Sequence, residues 1–492
     1  MQLSKSDYLM FLKHPAWLWL KKNKKYLLPP PDAALQALFD AGNEYERYAE
    51  QLFRQSVSLG FNNFSEYKSL PRRTAAALAD GAETIFQGRF EHGRTTCIID
   101  VLQRIDGGNF DLYEIKASTS VKADHIPDLA FQAIVLEGAG ISIRKTGIVH
   151  VNRDYVRQGE IDIRQISTVE DVTERVAERK ATTDGEISEA LAVMDQPDMP
   201  DLSPRYVSSG NMDEWMEIYS NVRGKLSPYS IYNLAGIKPQ QIARFEDAGI
   251  ASIDMIPDDD DLTERQARQV AVTKSKRLLV DREPIQAFLS GLSYPLYFLD
   301  YETFSDVIPS FDGLRPYQQV PFQYSLHVIF EPGAPVEHHE YLHTESSNPV
   351  GPLLSRLRED IGDKGSVIVW YAPFEKGRNQ EMALISPEQA PFLNELNDRV
   401  VDLMVPFKSG WVVDMDFLGS ASIKKVLPVL VPELSYDGLN IANGEVAQRT
   451  WMDTFIRGKP QVDVDVVFDD LRKYCNLDTM AMVRIFEKLL TI

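Results

Sequence analysis

An apolar run that ends in two acidic residues constrains this chain more than any other segment. The run reads Leu296-Tyr-Phe-Leu-Asp300-Tyr-Glu302. Because side chains alternate along a strand, Asp300 and Glu302 share one face of a strand whose other residues are apolar. Two neighbouring carboxylates at the end of a buried strand repel each other unless a cation joins them. The run therefore predicts a buried strand that presents ligands to a metal ion.

Further acidic residues follow in order along the C-terminal part of the chain. A second apolar strand, predicted over 366–371, leads to Glu375. Tyr474 and Asp478 are four residues apart on a predicted helix and therefore share a helix face. Four carboxylates and a tyrosine suit two-metal phosphodiester hydrolysis, in which the tyrosine positions the attacking water. Taken singly, each has a structural alternative: an exposed strand end, an ion pair with a neighbouring basic residue, or a core tyrosine.

The N-terminal part contains a separate group of charged residues in predicted strands. Thr95–Val101 and Phe110–Lys116 are β-prone runs joined by Asp-Gly-Gly-Asn, a typical hairpin turn. Glu114 and Lys116 face the same way, and pairing across the turn brings Asp100 beside them. Two carboxylates can hold a divalent cation, and the ammonium can offset charge on a phosphate. The alternative is a surface salt bridge, but the apolar flanks of these residues favour a functional site.

The remaining pattern divides the chain. A helix predicted over 128–137 places Gln132 where it can cover the strand edge of the N-terminal group. Residues 160–210 are polar and predict connecting structure with a loop. Residues 226–290 predict helices, and a new domain begins near Leu292.

Residues 1–30 differ from the rest of the chain because they are basic and aromatic. They hold six lysines against one acid, with five aromatic residues between them. Phosphates need positive charge and bases need flat faces, so this composition suits a groove for single-stranded nucleic acid. A helix that packs its aromatic residues on the protein core and points its lysines to solvent is an equally good interpretation.

Charge and cysteine content limit the classes of function. The chain has 52 Lys and Arg against 72 Asp and Glu, a net charge of −20. Such a field repels nucleic acids, so any contact with them depends on local basic patches or metal ions. Two cysteines, Cys97 and Cys475, are too few for a disulfide framework. No run is long enough to span a bilayer and no secretory signal is evident, so we expect a cytoplasmic protein.

Residues 1–155 resemble the RecB-like group of PD-(D/E)XK nucleases, which includes CRISPR adaptation nucleases and helicase-linked nucleases. The matching segments are Leu3-Ser-Lys-Ser-Asp-Tyr8, Ile99-Asp100-Val101, Glu114-Ile-Lys116 and Ala130-Phe-Gln132. The resemblance implies that Asp100 and Glu114 bind metal and that Lys116 is the catalytic lysine. It also implies that Gln132 helps to place the lysine or the substrate. The acid that relatives carry in an early helix has three candidates here, Glu44, Glu46 and Glu50.

Many of these relatives bind an iron–sulfur cluster through four cysteines, and this chain departs from that pattern. His14-Pro15 stands where they have the first cysteine, and residues 208–225 contain serines but no cysteine. A four-iron cluster needs about four thiolates, so we expect no cluster. Direct packing is expected to join these two segments instead.

The C-terminal part resembles the DnaQ-like 3′–5′ exonucleases of the DEDDy type, which have a ribonuclease H fold. Asp300 and Glu302 match the first motif, and Tyr474 and Asp478 match the third. Glu375 stands where the second motif normally has aspartate, and its extra methylene changes the reach of that ligand. The resemblance implies that the four acids bind Mg²⁺ or Mn²⁺.

Nearly the whole chain resembles a bacterial family that fuses these two nuclease-like halves. The resemblance implies an α/β chain with three parts, listed by residue range: a PD-(D/E)XK restriction-endonuclease-like core (1–185), a helical connector (186–290) and a ribonuclease H-like mixed-sheet domain (291–492). A nearby acid, Asp402, can compensate for the longer Glu375, although a structural role is the first expectation.

The function implied is a divalent-metal-dependent DNA nuclease with two hydrolytic centres. Single-stranded DNA or DNA ends are the expected substrates, RNA stays an open alternative, and DNA repair or anti-phage defence is the implied setting. The competing interpretation is a nucleic-acid-binding or assembly subunit in which one or both centres are degenerate. The acidity of the chain, the glutamate at position 375 and the missing cysteines favour that alternative.

Overall fold

The computed structural model of the protein describes residues 1–30, 33–460 and 462–492. They form two compact units, Met1–Leu226 and Ser227–Ile492. Both units combine helices with mixed sheets, which confirms the expected α/β class. The segment expected as a connector, 186–290, is divided between the two units.

The first unit is built around β-sheets covered by helices. Its strands are β1 (Leu3–Ser4), β2 (Ser56–Ser58), β3 (Thr84–Phe86), β4 (Arg89–His92), β5 (Thr95–Ile98), β6 (Val101–Arg104), β7 (Asn109–Lys116), β8 (Ser142–Val151) and β9 (Ser167–Asp171). Its helices are α1 (Lys5–Lys13), α2 (Pro15–Asn23), α3 (Ala33–Ala49), α4 (Phe64–Ala79), α5 (His125–Gly138), α6 (Ile163–Ile166), α7 (Thr173–Asp195) and α8 (Met212–Arg223).

The larger sheet of this unit has the strand order β2-β3-β6-β7-β8-β9. A hairpin forms at the predicted turn, but the strand that pairs antiparallel with β7 is β6 rather than Thr95–Val101, while β8 pairs parallel with β7 on its other side. The first predicted strand is interrupted at Ile99-Asp100, and β5 belongs to a separate sheet of order β1-β5-β4. Asp100 therefore lies at the break between two strands rather than at the end of one. Residues Phe110–Ile115 of β7 are buried, as is typical of a central strand covered on both faces.

Connecting structure was the wrong prediction for much of 160–210. Residues Thr173–Asp195 form α7, which packs against α5. The buried residues of α7 recur at helical spacing and lie on one narrow stripe: Val176, Thr183, Ile187, Ala190 and Met194. The rest of the helix is polar, so the average composition of the segment does not reveal this apolar stripe.

The basic and aromatic N-terminus packs on the core of its own unit. Tyr8, Phe11, Trp17 and Trp19 are buried, whereas Tyr26 is 81% exposed. Most of these rings are therefore not available for base stacking, and the interpretation as docked helices is correct for the aromatic residues. It is wrong for three of the lysines, because these pair with buried carboxylates instead of pointing to solvent: Lys5 with Glu114, and Lys21 and Lys22 with Asp7.

The segments around His14 and residues 208–225, for which direct packing was expected, are joined by aromatic packing. The His14 imidazole stacks on the buried Trp215 indole of α8, with ring centroids 3.8 Å apart. Nδ1 of His14 accepts a hydrogen bond from the Ala16 amide, and Nε2 lies 3.1 Å from the Ser203 carbonyl oxygen. Burial lowers the pKa of His14 to about 4, so the imidazole is neutral at pH 7.

The second unit contains a mixed sheet with helices packed on it. Its strands are β10 (Leu279–Val280), β11 (Leu296–Phe304), β12 (Val320–Ile329), β13 (Glu337–Leu342), β14 (Ser366–Val369), β15 (Val400–Asp402) and β16 (Val412–Val413). Its helices are α9 (Pro239–Asp247), α10 (Glu264–Ser275), α11 (Arg282–Ser290), α12 (Val350–Asp360), α13 (Ala372–Ile385), α14 (Ala390–Asp398), α15 (Val405–Lys408), α16 (Ile423–Leu430), α17 (Gly444–Trp451) and α18 (Val464–Thr491).

Its main sheet has the strand order β13-β12-β11-β14-β15. The neighbours β13, β12 and β11 are antiparallel, and β14 and β15 continue the sheet in parallel to β11. The central β11 is the apolar run identified from the sequence, and α18 packs against both β11 and β12. The sheet thus brings the end of β11 beneath the long C-terminal helix.

Among the described residues, none of the helices combines the length and apolar character that crossing a membrane requires.

Candidate functional site

The first candidate centre lies at the end of β7 in the first unit. Glu114 and Lys116 are on one side of this strand, and α5 covers them with Gln132 and Asp128. Asp100 joins them from the break before β6, where its Oδ2 accepts a hydrogen bond of 2.8 Å from the Ile115 amide. The four residues predicted for this centre therefore come together.

Glu114 is the most heavily bonded member of this centre. Its Oε1 accepts hydrogen bonds from Lys5 Nζ at 2.7 Å and from Lys116 Nζ at 2.8 Å. Its Oε2 accepts a hydrogen bond of 2.8 Å from Gln132 Nε2. Asp128 shares two of these donors, Lys116 at 2.8 Å and Gln132 at 2.9 Å. Two ammonium groups thus balance two buried carboxylates.

This balance determines how the carboxyl groups ionise. Burial opposes ionisation of Glu114, but Lys116 and Lys5 outweigh burial and lower its pKa. Among the described residues, no ammonium group bonds directly to Asp100, and burial, followed by the negative charge of Glu114, raises its pKa well above the usual range. Asp100 and Glu114 supply carboxylate oxygens, and Gln132 Oε1 is buried without a partner among the described residues. These oxygen donors suit Mg²⁺ or Mn²⁺, although a cation must compete with Lys5 for Glu114.

The structure distinguishes among the three early-helix acids. Glu46 on α3 is the one near the centre, because Glu114 and Lys5 both affect its ionisation. Burial and then Glu50 raise its pKa, and its carboxylate accepts a hydrogen bond from Gln87.

Two residues of this centre were not identified from the sequence. Asp128 is four residues before Gln132 on α5, so helical periodicity was an available signal for it. Lys5 lies in the segment that matches the nuclease family, yet its contact with Glu114 joins residues 109 apart. The contact depends on the start of α1, where Ser4 and Asp7 cap the helix reciprocally.

The second candidate centre lies between β11, α13 and α18 of the second unit. Asp300 and Glu302 come from β11, Glu375 from the first turn of α13, and Asp478 from α18. Each of the four affects, or is affected by, the ionisation of others in the set. The structure therefore brings these four residues together.

Glu375 reaches the cluster through a specific turn between β14 and α13. Tyr371 adopts a left-handed conformation, with φ of 77°, and its amide donates a hydrogen bond to Asp402 Oδ1 at 3.0 Å. Asp402 also accepts from the Met404 amide, which confirms its structural role. Glu375 is 2% exposed, and its Oε2 has no hydrogen-bond partner among the described residues.

Asp478 is held by tyrosines. The Tyr436 hydroxyl donates a hydrogen bond to its Oδ1 at 2.5 Å, and the ring of Tyr436 lies 6.3 Å from that of Tyr474. Lys424 Nζ is 5.6 Å from both ring centroids. Tyr474 therefore borders the cluster as predicted, whereas Tyr436, from an irregular segment, carried no sequence signal.

The electrostatics of the second centre favour a bound cation. Burial, followed by repulsion from neighbouring carboxylates, raises the pKa of Asp300, Glu302 and Glu375 well above the usual range. Burial raises the pKa of Asp478 to about 6. An ion with two positive charges reverses this repulsion and satisfies the unpaired Glu375 oxygen. The donor set, four carboxyl groups, fits Mg²⁺ or Mn²⁺.

A thiol also borders this centre. Cys475 precedes Asp478 by three residues on α18 and is fully buried. One oxygen of Asp300, one of Glu302 and Cys475 Sγ all lie within 4.8 Å of one another. In the part of the chain that the structure describes, this is the one group of three such ligand atoms.

Comparison with known proteins identifies a similar domain and similar proteins, and their descriptions name no activity. Residues 297–422 match the model of a domain of unknown function, DUF2779. The matched range includes Asp300, Glu302 and Glu375 and ends before Asp478. It covers about a quarter of the chain, and residues of the first unit lie outside it.

Three mycoplasma relatives resemble part of the chain. Uncharacterized protein MG366 of Mycoplasma genitalium is 26% identical over 210 residues, 38% of this chain and 31% of the relative. Its homolog in Mycoplasma pneumoniae is 24% identical over 217 residues, with the same shares. Uncharacterized protein UU173 of Ureaplasma parvum is 24% identical over 234 residues, 43% of this chain and 33% of the relative. The matches thus span about a third of each of these curated relatives.

Proposed function

We propose that this protein is a divalent-metal-dependent nuclease with two phosphodiester-hydrolysing centres, one in each unit. Single-stranded DNA or DNA ends are the proposed substrates, with RNA as the alternative polymer. The observation that carries the proposal is the second centre, where three buried carboxyl groups and the half-buried Asp300 converge and Glu375 Oε2 has no partner among the described residues. Such an arrangement is costly without a bound cation.

The sheet of the second unit supports the ribonuclease H-like part of the proposal. A mixed sheet with β11 at its centre presents Asp300 and Glu302 to a C-terminal helix that carries Asp478. In this arrangement the four carboxylates hold the cations. A pair of bound Mg²⁺ or Mn²⁺ ions supplies charge stabilisation for the attacking and leaving oxygens. Tyr436 and Tyr474 orient Asp478, and Lys424 places positive charge beside it.

The first centre supports a PD-(D/E)XK-like role through different contacts. Lys116 is bonded to Glu114 and Asp128, which keeps its ammonium charged and directed into the centre. A charged ammonium beside the metal ligands stabilises negative charge on a phosphate. Asp100 and Glu114 hold the cation, and Gln132 orients Glu114.

One observation favours the alternative in which only the second centre hydrolyses and the first binds nucleic acid. Glu114 already receives two ammonium groups and an amide, so the first centre is charge-balanced without a metal ion. In that case Lys5 and Lys116 bind phosphate without cleaving it.

The test uses end-labelled single- and double-stranded DNA and RNA, with Mg²⁺ or Mn²⁺, against wild type, Lys116→Ala, Asp478→Asn and the double variant. We expect Asp478→Asn to reduce the yield of 3′-end products by about 100-fold or more. Replacing a residue that only supports a metal ligand already lowers metal affinity or activity by about 10- to 100-fold. We expect Lys116→Ala to reduce a distinct set of products by about 10²- to 10³-fold.

Matched controls make the same charge changes on the outside of each unit. Asp469→Asn lies on α18 at an exposed ion pair with Lys473, and Lys180→Ala removes an exposed pair with Glu137. If Asp478→Asn reduces cleavage and Lys116→Ala does not, the result supports the alternative in which only the second centre hydrolyses. Wild type and double variant that are equally inert on every polymer would overturn the nuclease proposal.

A further inference from the structure

The thiol of Cys475 occupies an unusual position for a buried cysteine in an oxygen-rich centre. Its Sγ lies within 4.8 Å of carboxylate oxygens of both Asp300 and Glu302. It is three residues before Asp478 on α18, so the helix presents both side chains toward the same side. A cation bound by Asp300 and Glu302 is therefore within reach of sulfur.

A separate observation is an unpaired acceptor beside this cluster. Glu375 Oε2 is buried with no hydrogen-bond donor among the described residues. The carboxyl group of Glu375 is close enough to Asp300 to bond with it, and its ionisation also responds to Glu302. The unpaired oxygen thus points to a ligand at the place where the thiol and the two strand carboxylates meet.

We propose that Cys475 is a direct ligand of the second centre and makes it bind thiophilic divalent cations, such as Zn²⁺ or Cd²⁺, in preference to Mg²⁺. The inference rests on the proposed function for the location of the centre, but not on hydrolysis. Thiolate is a soft ligand that selects Zn²⁺ over Mg²⁺, which prefers oxygen. When the metal–sulfur bond forms, the thiol proton leaves to the solvent.

The geometry is compatible with one ion. Zn²⁺ binds sulfur at about 2.3 Å and carboxylate oxygen at about 2.0–2.2 Å, so two ligands of one ion lie up to roughly 4.5 Å apart. The three ligand atoms are within 4.8 Å of one another, so small side-chain rotations complete the site. Zn²⁺ consequently competes with Mg²⁺ for the oxygens proposed for hydrolysis.

The chain allows a clean test because it has two cysteines. Full-length protein is titrated with Co²⁺ and with Cd²⁺ while thiolate-to-metal charge-transfer absorption is recorded in the ultraviolet. We compare wild type, Cys97→Ser and Cys475→Ser. Cys97 is buried in the core of the first unit, and Cys97→Ser leaves Cys475 as the single thiol. This variant reports on Cys475 even where Cys475→Ser fails to fold.

We expect the absorption in wild type and Cys97→Ser and its loss in Cys475→Ser. We also expect the affinity for Cd²⁺ relative to Mg²⁺ to fall by about 10- to 100-fold in Cys475→Ser. A band that disappears in Cys97→Ser, or no band in any form, would overturn the proposal. If Mg²⁺-dependent cleavage that requires Asp478 persists without a band, only this inference fails. If neither cleavage nor metal binding occurs, the proposed function fails with it.

Discussion

The negative charges of the two centres are balanced by different kinds of side chain. In the first, Lys5 and Lys116 bond directly to Glu114, and Lys116 also bonds to Asp128. In the second, the carboxyl groups face one another, and hydroxyl groups provide the bonds to Asp478. An ammonium group neutralises the negative charge of a carboxylate, whereas a hydroxyl group donates a hydrogen bond to the carboxylate and leaves its charge in place. The second centre therefore depends more strongly on protons or metal ions.

Asp478→Asn is expected to change the pH dependence of stability in metal-free protein. Burial raises the pKa of Asp478 from 3.8 to about 6, despite opposing contributions from Tyr436, Lys424 and Tyr474. Because the folded state binds the proton more tightly, the stabilisation is complete below the unfolded pKa and is lost as pH rises through about 6. We expect wild type to lose about 2.4 kcal/mol relative to Asp478→Asn between about pH 4 and pH 7.

The measurement is urea unfolding in chelator across this pH range, with the difference in free energy of unfolding taken at each pH. Asp469→Asn, on the exposed side of the same helix, is expected to show a constant difference. A constant difference for Asp478→Asn as well would contradict the raised pKa.

Two helices of the first unit, α2 and α8, are joined by aromatic packing around His14. The imidazole is neutral and stacks on Trp215 at 3.8 Å, which brings the start of α2 against α8. The Ser208 amide also donates a hydrogen bond of 3.0 Å to the Lys13 carbonyl. This packing therefore holds the end of α1 and the start of α2 against the segment that leads into α8.

Trp215→Ala is expected to destabilise the first unit by about 3–5 kcal/mol, since a fully buried indole is replaced by a cavity. Trp215→Phe retains a ring for His14 and is expected to cost less. Tyr26→Ala removes an aromatic residue that is 81% exposed and should change the free energy of unfolding by less than about 0.5 kcal/mol. Denaturant unfolding compares the three variants. Equal costs for Trp215→Ala and Tyr26→Ala would refute the joining role.

At the scale of the whole molecule, each compact unit contains its own candidate centre. The first centre uses residues between Lys5 and Gln132, and the second uses residues between Asp300 and Asp478. The difference in charge balance predicts different responses to a metal ion. Mn²⁺ must displace Lys5 from Glu114 in the first unit but meets unpaired oxygen in the second.

Hydrogen exchange of β7 and β11 can measure these responses separately. At a Mn²⁺ concentration 100 times the dissociation constant, binding stabilises a folded state by about 2.7 kcal/mol. We expect β11 to gain protection of this order and β7 to gain less at the same concentration. Glu302→Gln should remove the gain at β11 and leave that at β7. Equal or greater protection of β7 in wild type would contradict the prediction.

Local periodicity accounts for the features that were predictable before the structure. Alternation along β11 places Asp300 and Glu302 on one face, and helical spacing places Tyr474 near Asp478. The hairpin of β6 and β7 followed from its turn residues in the same way. The stripe of α7 was present too, but its polar surroundings hid it. Such features depend on neighbours along the chain, so the order of residues is sufficient to specify them.

The packing of distant elements decided the rest. Lys5 meets Glu114 across 109 residues, and Tyr436 meets Asp478 across 42, with no pattern in the sequence to pair them. Likewise, Cys475 becomes a neighbour of Asp300 only because α18 packs on β11. The burial and the mutual repulsion that raise the pKa values of the carboxyl groups in the second centre also arise when these elements pack together. These properties depend on the distances between elements, and those distances are set only when the chain folds.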